Sequence, residues 1–172
     1  MRLLKFIKAY VALKELTKQL EERGVNLEFG IENFEQRLIL QKLVYILQEF
    51  GVPLNYSFNW YMHGPYSPEL TSDAFSYLSI LQEHGDNRVL GDLEASDLPR
   101  EEINEVAKVI EKIKSETGMY GGYLVEAIAT LIYIRKYVDR ENAVQHVIKL
   151  KPKFSKYEEK LEKMNSVLEN YI

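Results

Sequence analysis

The chain has 172 residues, 28% of them charged and 46% hydrophobic, and its formal net charge is −4. This composition is typical of one soluble globular domain over residues 1–172, gives no sign of disorder or membrane contact, and argues against general nucleic-acid binding, which needs a basic surface. The chain contains no cysteine, which excludes disulfides, thiolate zinc sites and cysteine nucleophiles and favours a cytoplasmic location.

Hydrophobic periodicity in the first half of the chain predicts three helices and one strand. The helices are expected over about 2–22, 34–50 and 68–83, and the strand over about 55–62. The second helix carries a broad apolar arc and is expected to be central and largely buried. Because a lone strand leaves its backbone groups unpaired, residues 88–93 are the expected partner of the strand.

The second half of the chain reads as four helices separated by glycine, proline and capping residues. They are expected over about 99–117, 122–138, 139–150 and 155–170. Asp139 is the predicted cap of the third of these, and Ser155 with Glu158 forms a capping-box pattern for the fourth. The sequence therefore predicts a mainly α single domain with a small β-strand pair, about 55–62 with 88–93.

The segment from Trp60 to Leu70 joins an aromatic strand, a rigid turn and a helix start. Gly64 and Pro65 are expected to form the turn, and Ser67 to cap the following helix. Free N–H groups at a helix start attract anions, and His63 could add a donor or a positive charge. The alternative is that these residue types make only a tight structural connection.

The helix predicted at 34–50 has a polar margin beside its apolar arc. Arg37, Gln41 and Tyr45 follow one another along this margin at helical spacing. They either line a cleft with the His63 turn or mark the boundary between a buried helix and solvent. Lys42 lies further round the helix and is expected to be exposed.

The helix predicted at 122–138 contains one charge in its apolar run, Glu126. A buried carboxylate needs a partner such as Arg37 or Arg135, or its pKa rises. Tyr133 lies on the same stripe of the helix. The alternative is a solvated or ion-paired polar face without function.

Two further patterns carry less information. The three histidines lie in different elements and show no metal-ligand spacing, so no metal site is predicted. Apolar residues of the last helix repeat at alternating intervals of four and three, which favours packing against the body of the protein, with a homodimer through this helix as the alternative. These residues are Tyr157, Leu161, Met164, Leu168 and Tyr171. Lysines near the start of this helix form a modest basic patch.

Several short motifs together resemble the YwgA-like group of bacterial and archaeal proteins and, more distantly, the SocA-like or Panacea antitoxin domain. They lie at Leu40–Leu47, Gly51–Leu54, His63–Leu70, Leu124–Leu131 and Lys149–Ser155. The resemblance implies a compact, mainly helical intracellular domain. It brings no established activity, but the Panacea-like relatives are implied to bind proteins, as antitoxins or proteolytic adaptors.

These observations favour a non-enzymatic regulatory module that binds a partner protein and uses no cofactor. A nucleic-acid-binding regulator of winged-helix type is the alternative, and a small hydrolase or nucleotide-binding enzyme that uses Glu126, His63 and Arg37 is the third hypothesis. The candidate binding residues are Gln41, Tyr45, Trp60, His63, Gly64, Pro65, Tyr66 and Ser67, with Arg37, Glu126, Tyr133 and Arg135 as secondary candidates.

Overall fold

The helices follow the predicted order closely in the computed structural model, which describes residues 2–83 and 98–172. These residues form seven α-helices and one two-stranded antiparallel sheet, so the predicted mainly α fold is confirmed. The elements are α1 (Arg2–Glu22), α2 (Phe34–Glu49), β1 (Asn59–Tyr61), β2 (Gly64–Tyr66), α3 (Pro68–Glu83), α4 (Arg100–Thr117), α5 (Gly121–Tyr137), α6 (Ala143–Leu150) and α7 (Glu158–Leu168). A short 3-10 helix, Pro152–Tyr157, precedes α7.

The helix pair α2 and α5 forms the centre of the fold. Both helices bury most of their residues against several neighbours, and their mutual contact is the most extensive between two of the described helices. The other helices extend this core outwards: α4 packs against α1 and α7, and α1 packs against α3. One continuous hydrophobic core results, from Phe6 on α1 to Leu168 on α7. None of the described helices has the length and apolarity that a membrane span needs.

Side-chain caps fix the starts of the helices that border the sheet. Asn33 Oδ1 accepts a hydrogen bond from the Gln36 amide at 2.8 Å at the start of α2. Ser67 Oγ accepts one from the Leu70 amide at 3.2 Å, which confirms the predicted cap of α3. Each cap satisfies a backbone donor that the first turn leaves without a partner.

The sheet is a tight hairpin rather than a pairing of distant segments. Trp60 of β1 lies opposite Pro65 of β2, and Met62 and His63 form the turn. The predicted turn at Gly64 and Pro65 is therefore wrong, since both residues belong to β2. A strand tolerates a proline there because both strands of a two-stranded sheet are edge strands. The predicted partner strand at 88–93 lies outside the described residues.

The C-terminal region differs from prediction at its helix starts. Residues 152–157 form the 3-10 helix around the buried Phe154, so α7 begins at Glu158 and not at 155. Asp139 does cap the preceding turn, where its Oδ1 accepts from the amides of Glu141 and Asn142 at 3.1 Å each, but α6 itself begins only at Ala143.

The apolar seam of α7 is covered by the chain itself. Leu161, Met164 and Leu168 are fully buried, and α7 packs against α4, α5 and α6. This arrangement agrees with the packing interpretation of the seam. Of the seam residues, only Tyr157 and Tyr171 are accessible for contact with a second copy of the chain.

Replacement of Gly64 by alanine tests how closely the hairpin approaches α5. Gly64 has a φ of +92°, and a Cβ atom there would lie 2.9 Å from Thr130 Oγ1 on α5. Gly24 has a similar φ of +79° but no atom within 4 Å of its Cβ position, so Gly24→Ala is the matched control for backbone strain alone. We expect Gly64→Ala to lower the free energy of unfolding by about 1–3 kcal/mol more than Gly24→Ala in urea denaturation. Equal losses would show that the hairpin stands away from α5.

Candidate functional site

A groove of about 360 Å³ lies between α2, the hairpin and α3. We call it the α2–hairpin groove. The structure brings four of the predicted site residues together in its wall, namely Arg37, Gln41, His63 and Tyr66. The other lining residues are Phe34, Leu38, Lys42, Tyr61, Met62, Thr71 and Phe75.

Large apolar side chains stand in solvent around this groove. Phe34, Tyr61, Met62 and Phe75 are each between 45 and 87% exposed. The His63 ring packs edge-on against Phe34, with 5.0 Å between the ring centroids. A cluster of exposed apolar residues on a globular protein is typical of an interaction site, because burial of this area in a complex is favourable.

The charged residues in the wall of the groove are all basic. Arg37 and Lys42 are the basic residues, His63 is a third titratable group, and no acidic residue is among the described lining residues. The pKa of His63 is lowered by burial and by the nearby lysines, although Glu126 opposes the shift. His63 is therefore mainly a neutral hydrogen-bonding group at neutral pH.

Gln41 joins α2 to the start of α3. Its Nε2 donates to Ser67 O at 2.9 Å and to Thr71 Oγ1 at 2.7 Å, and its Oε1 accepts from the Ser67 amide at 2.9 Å. The amide group of Gln41 thus holds one wall of the groove against another. The structure gives this predicted binding residue a positioning role.

Glu126 on α5 is a buried acceptor that is paired with two lysines, of which Lys151 is also buried and Lys153 is partly exposed. Its Oε2 lies 2.7 Å from Lys151 Nζ, Lys153 Nζ lies within 2.9 Å of both carboxylate oxygens, and His63 Nδ1 lies 3.9 Å from Oε1. We call these four residues the Glu126 cluster. Burial raises the pKa of Glu126, but the hydrogen bonds from the two lysines outweigh it, so the pKa is lowered overall.

The predicted arginine partners of Glu126 are wrong. Arg135 donates to Asn165 Oδ1 at 2.8 Å and to Ile172 O at 2.7 Å, in the C-terminal part of the fold. Arg37 donates to Ile31 O at 3.1 Å. Glu126 is paired instead with Lys151 and Lys153, which lie 25 and 27 residues further along the chain.

Lys42 is the largest departure from the sequence prediction. It was expected to be exposed, but only 1% of it is accessible, and its Nζ donates to Pro65 O at 2.6 Å. Burial and the charges of Lys151 and Lys153 lower its pKa to about 7, although Glu126 opposes the shift. The amine therefore titrates in the neutral range, although it is buried beneath the hairpin against Pro65 O.

The remaining aromatic candidates lie behind the hairpin, outside the wall of the groove. Tyr45 is buried and packs edge-on against Phe58, with 5.2 Å between the centroids. The Trp60 ring packs at a tilt against Tyr133, with 5.2 Å between the centroids, and Lys151 Nζ lies 5.8 Å from the centre of the Trp60 ring. The predicted single surface is thus divided into a groove and an aromatic layer that supports the hairpin.

Sequence reasoning missed Lys42 and Lys151, although each carried a signal. Lys42 lies three residues after Ile39 and four before Ile46, so it falls inside the buried arc of α2 and not beyond it. Lys151 follows Val147 by four residues and continues the buried stripe of α6. A lysine in an apolar stripe is easily taken for the solvated edge of a helix, since its long stem packs well against apolar surface.

Comparison of the chain with protein-family models, curated proteins and solved structures finds no match. The resemblance to the YwgA-like group stays a prediction. Inference about function therefore depends on the geometry of the groove and of the Glu126 cluster.

The burial of Lys42 predicts a specific dependence of stability on pH. Between pH 7 and the ordinary lysine pKa of 10.5 the unfolded chain keeps a proton that the folded amine has released. The free energy of unfolding of the wild type, relative to Lys42→Met, therefore rises with pH in this window, by up to about 1.4 kcal/mol per pH unit. Below pH 7 both states hold the proton and the difference is constant.

Urea denaturation of the two proteins at a series of pH values measures this effect. Lys112→Met, at an exposed position of α4, is the matched control. Parallel stability curves for the wild type and Lys42→Met above pH 7 would contradict the burial of a titrating amine.

Proposed function

We propose that the protein is a non-enzymatic regulatory module of the cytoplasm that binds a partner protein through the α2–hairpin groove. The observation that carries the proposal is the ring of four exposed apolar side chains around one groove whose charged lining is basic. The absence of cysteine supports a reducing compartment. The resemblance to the YwgA-like group, with its Panacea-like relatives, is consistent with such a role.

The partner has a definite chemistry. The groove is large enough for one or two apolar side chains, and Phe34 and Phe75 give them aromatic surface to pack on. Arg37, with further guanidinium donors beyond its bond to Ile31 O, suits a carboxylate beside the apolar anchor. We propose a peptide segment in which an apolar residue is next to an acidic one.

The two other hypotheses have weaker support. The nucleic-acid hypothesis needs basic residues that contact phosphates, whereas the chain has a net charge of −4 and its groove is mainly apolar. The hydrolase hypothesis needs a carboxylate that is free to act on a substrate, whereas both oxygens of Glu126 accept hydrogen bonds from lysines, and Arg37 bonds to Ile31 O.

A peptide-display selection against the purified protein, followed by affinity measurement on the selected peptide, tests the proposal. We expect peptides with an apolar residue next to Asp or Glu. Phe75→Ala should weaken their binding about tenfold or more, because a partly exposed aromatic anchor is lost from the groove. Ile80→Ala is the matched control, since Ile80 is also exposed on α3 but does not line the groove.

Both positions are solvent-exposed, so neither substitution should shift the melting temperature by more than a few degrees. Equal affinities of the two variants for the selected peptide would overturn the groove as the binding site. Selection of basic peptides would overturn the assigned partner chemistry.

A further inference from the structure

Three lysines and two tyrosines form a connected surface on the 3-10 helix, α7 and the start of α5. Lys153 Nζ lies 5.3 Å from the centre of the Tyr123 ring, and the rings of Tyr123 and Tyr157 are 6.2 Å apart. Lys156 and Lys160 both lie over the Tyr157 ring, with Nζ at 5.2 and 5.7 Å from its centre. We call these five residues the lysine–tyrosine surface. None of them lines the α2–hairpin groove.

The positive charge of this surface is only partly compensated within the fold. Neither Lys156 nor Lys160 forms an ion pair with a carboxylate of the described residues. Lys153 is paired with Glu126, but that carboxylate shares its single charge with Lys151. The side chain of Lys153 is also 38% exposed. A partner with carboxylates can therefore supply counter-ions that the described part of the chain does not.

The tyrosine rings hold the ammonium groups in place. A cation over the face of an aromatic ring is attracted by the quadrupole of the ring, and Tyr157 holds two ammonium groups in this way. A lysine that already lies over a ring has less side-chain freedom to lose when it binds an anion. The surface is thus better prepared for an anionic partner than lysines on an open helix face.

The extent of the surface favours a short acidic segment over a long polyanion. Glu159 and Glu162 are exposed on α7 beside the lysines, and the whole chain has a net charge of −4. A nucleic-acid strand that runs beyond the lysines comes close to these carboxylates and is repelled by them. Two or three Asp or Glu side chains need only the three ammonium groups.

We propose that the lysine–tyrosine surface binds a short acidic segment of a partner protein, whose carboxylates pair with Lys153, Lys156 and Lys160. This inference goes beyond the proposed binding of a peptide in the α2–hairpin groove and does not depend on it. The two sites share no residue, so substitutions in one leave the contacts of the other in place.

Fluorescence anisotropy with a labelled peptide of four consecutive glutamates between Gly and Ser residues tests the proposal. We expect binding at low salt that weakens as the salt concentration rises, because the contacts are ion pairs near the surface. The same peptide with glutamine in place of glutamate should not bind. Absence of binding by the glutamate peptide at low salt would overturn the proposal.

A pair of double variants locates the site. Lys156→Gln with Lys160→Gln should weaken binding of the glutamate peptide about fivefold, since two ion pairs are lost. Lys108→Gln with Lys112→Gln is the matched control, because these lysines have the same spacing on α4 and are exposed. Equal affinities of the two double variants would overturn the assigned surface. Tighter binding of a twelve-residue oligothymidylate, lost in the first double variant alone, would overturn the acidic segment as the partner.

The variant Tyr157→Leu tests the role of the ring. It keeps every charge and an apolar side chain against Phe154, but it removes the ring face under two ammonium groups. We expect about threefold weaker binding of the glutamate peptide with the same dependence on salt. An unchanged affinity, with a melting temperature like that of the wild type, would overturn the role given to the ring.

Discussion

The ion pairs of the Glu126 carboxylate hold together the side of the molecule that carries the hairpin. It is the one acidic group within the apolar run of α5, and it accepts hydrogen bonds from Lys151 and Lys153. Lys151 also lies 3.3 Å from Met62 O in the turn of the hairpin. The ion pairs therefore connect α5, the segment after α6 and the hairpin. Because both Glu126 and Lys151 are almost fully buried, loss of one partner would leave a charge without compensation.

This arrangement also determines the character of the groove. The single negative charge of Glu126 is shared between Lys151 and Lys153, and Lys42 is buried without a carboxylate of its own among the described residues. The hairpin that covers Lys42 at the same time carries Tyr61 and Met62 outwards into solvent. The hairpin thus exposes an apolar rim on its outer side and buries an amine of lowered pKa beneath it.

The sequence predicted the helices well because their order depends on local periodicity, and the Ser67 cap depends on residues three apart. It failed where burial is decided by distant parts of the chain. The helical face of Lys42 can be read from α2, but its burial requires Pro65 and the hairpin, and the partners of Glu126 come from beyond α6. Gly64 and Pro65 suit both a turn and an edge strand, so local chemistry alone could not choose between them.

The most direct measurement of the central claim is an NMR titration of the Lys42 side chain, followed at Nζ and Cε in the wild-type protein. If Lys42 is a buried amine to which the Glu126 cluster offers no counter-ion, its titration midpoint lies at about pH 7. A midpoint near the ordinary lysine value of 10.5 would contradict the account, because it would mean that the amine is solvated or paired with a carboxylate.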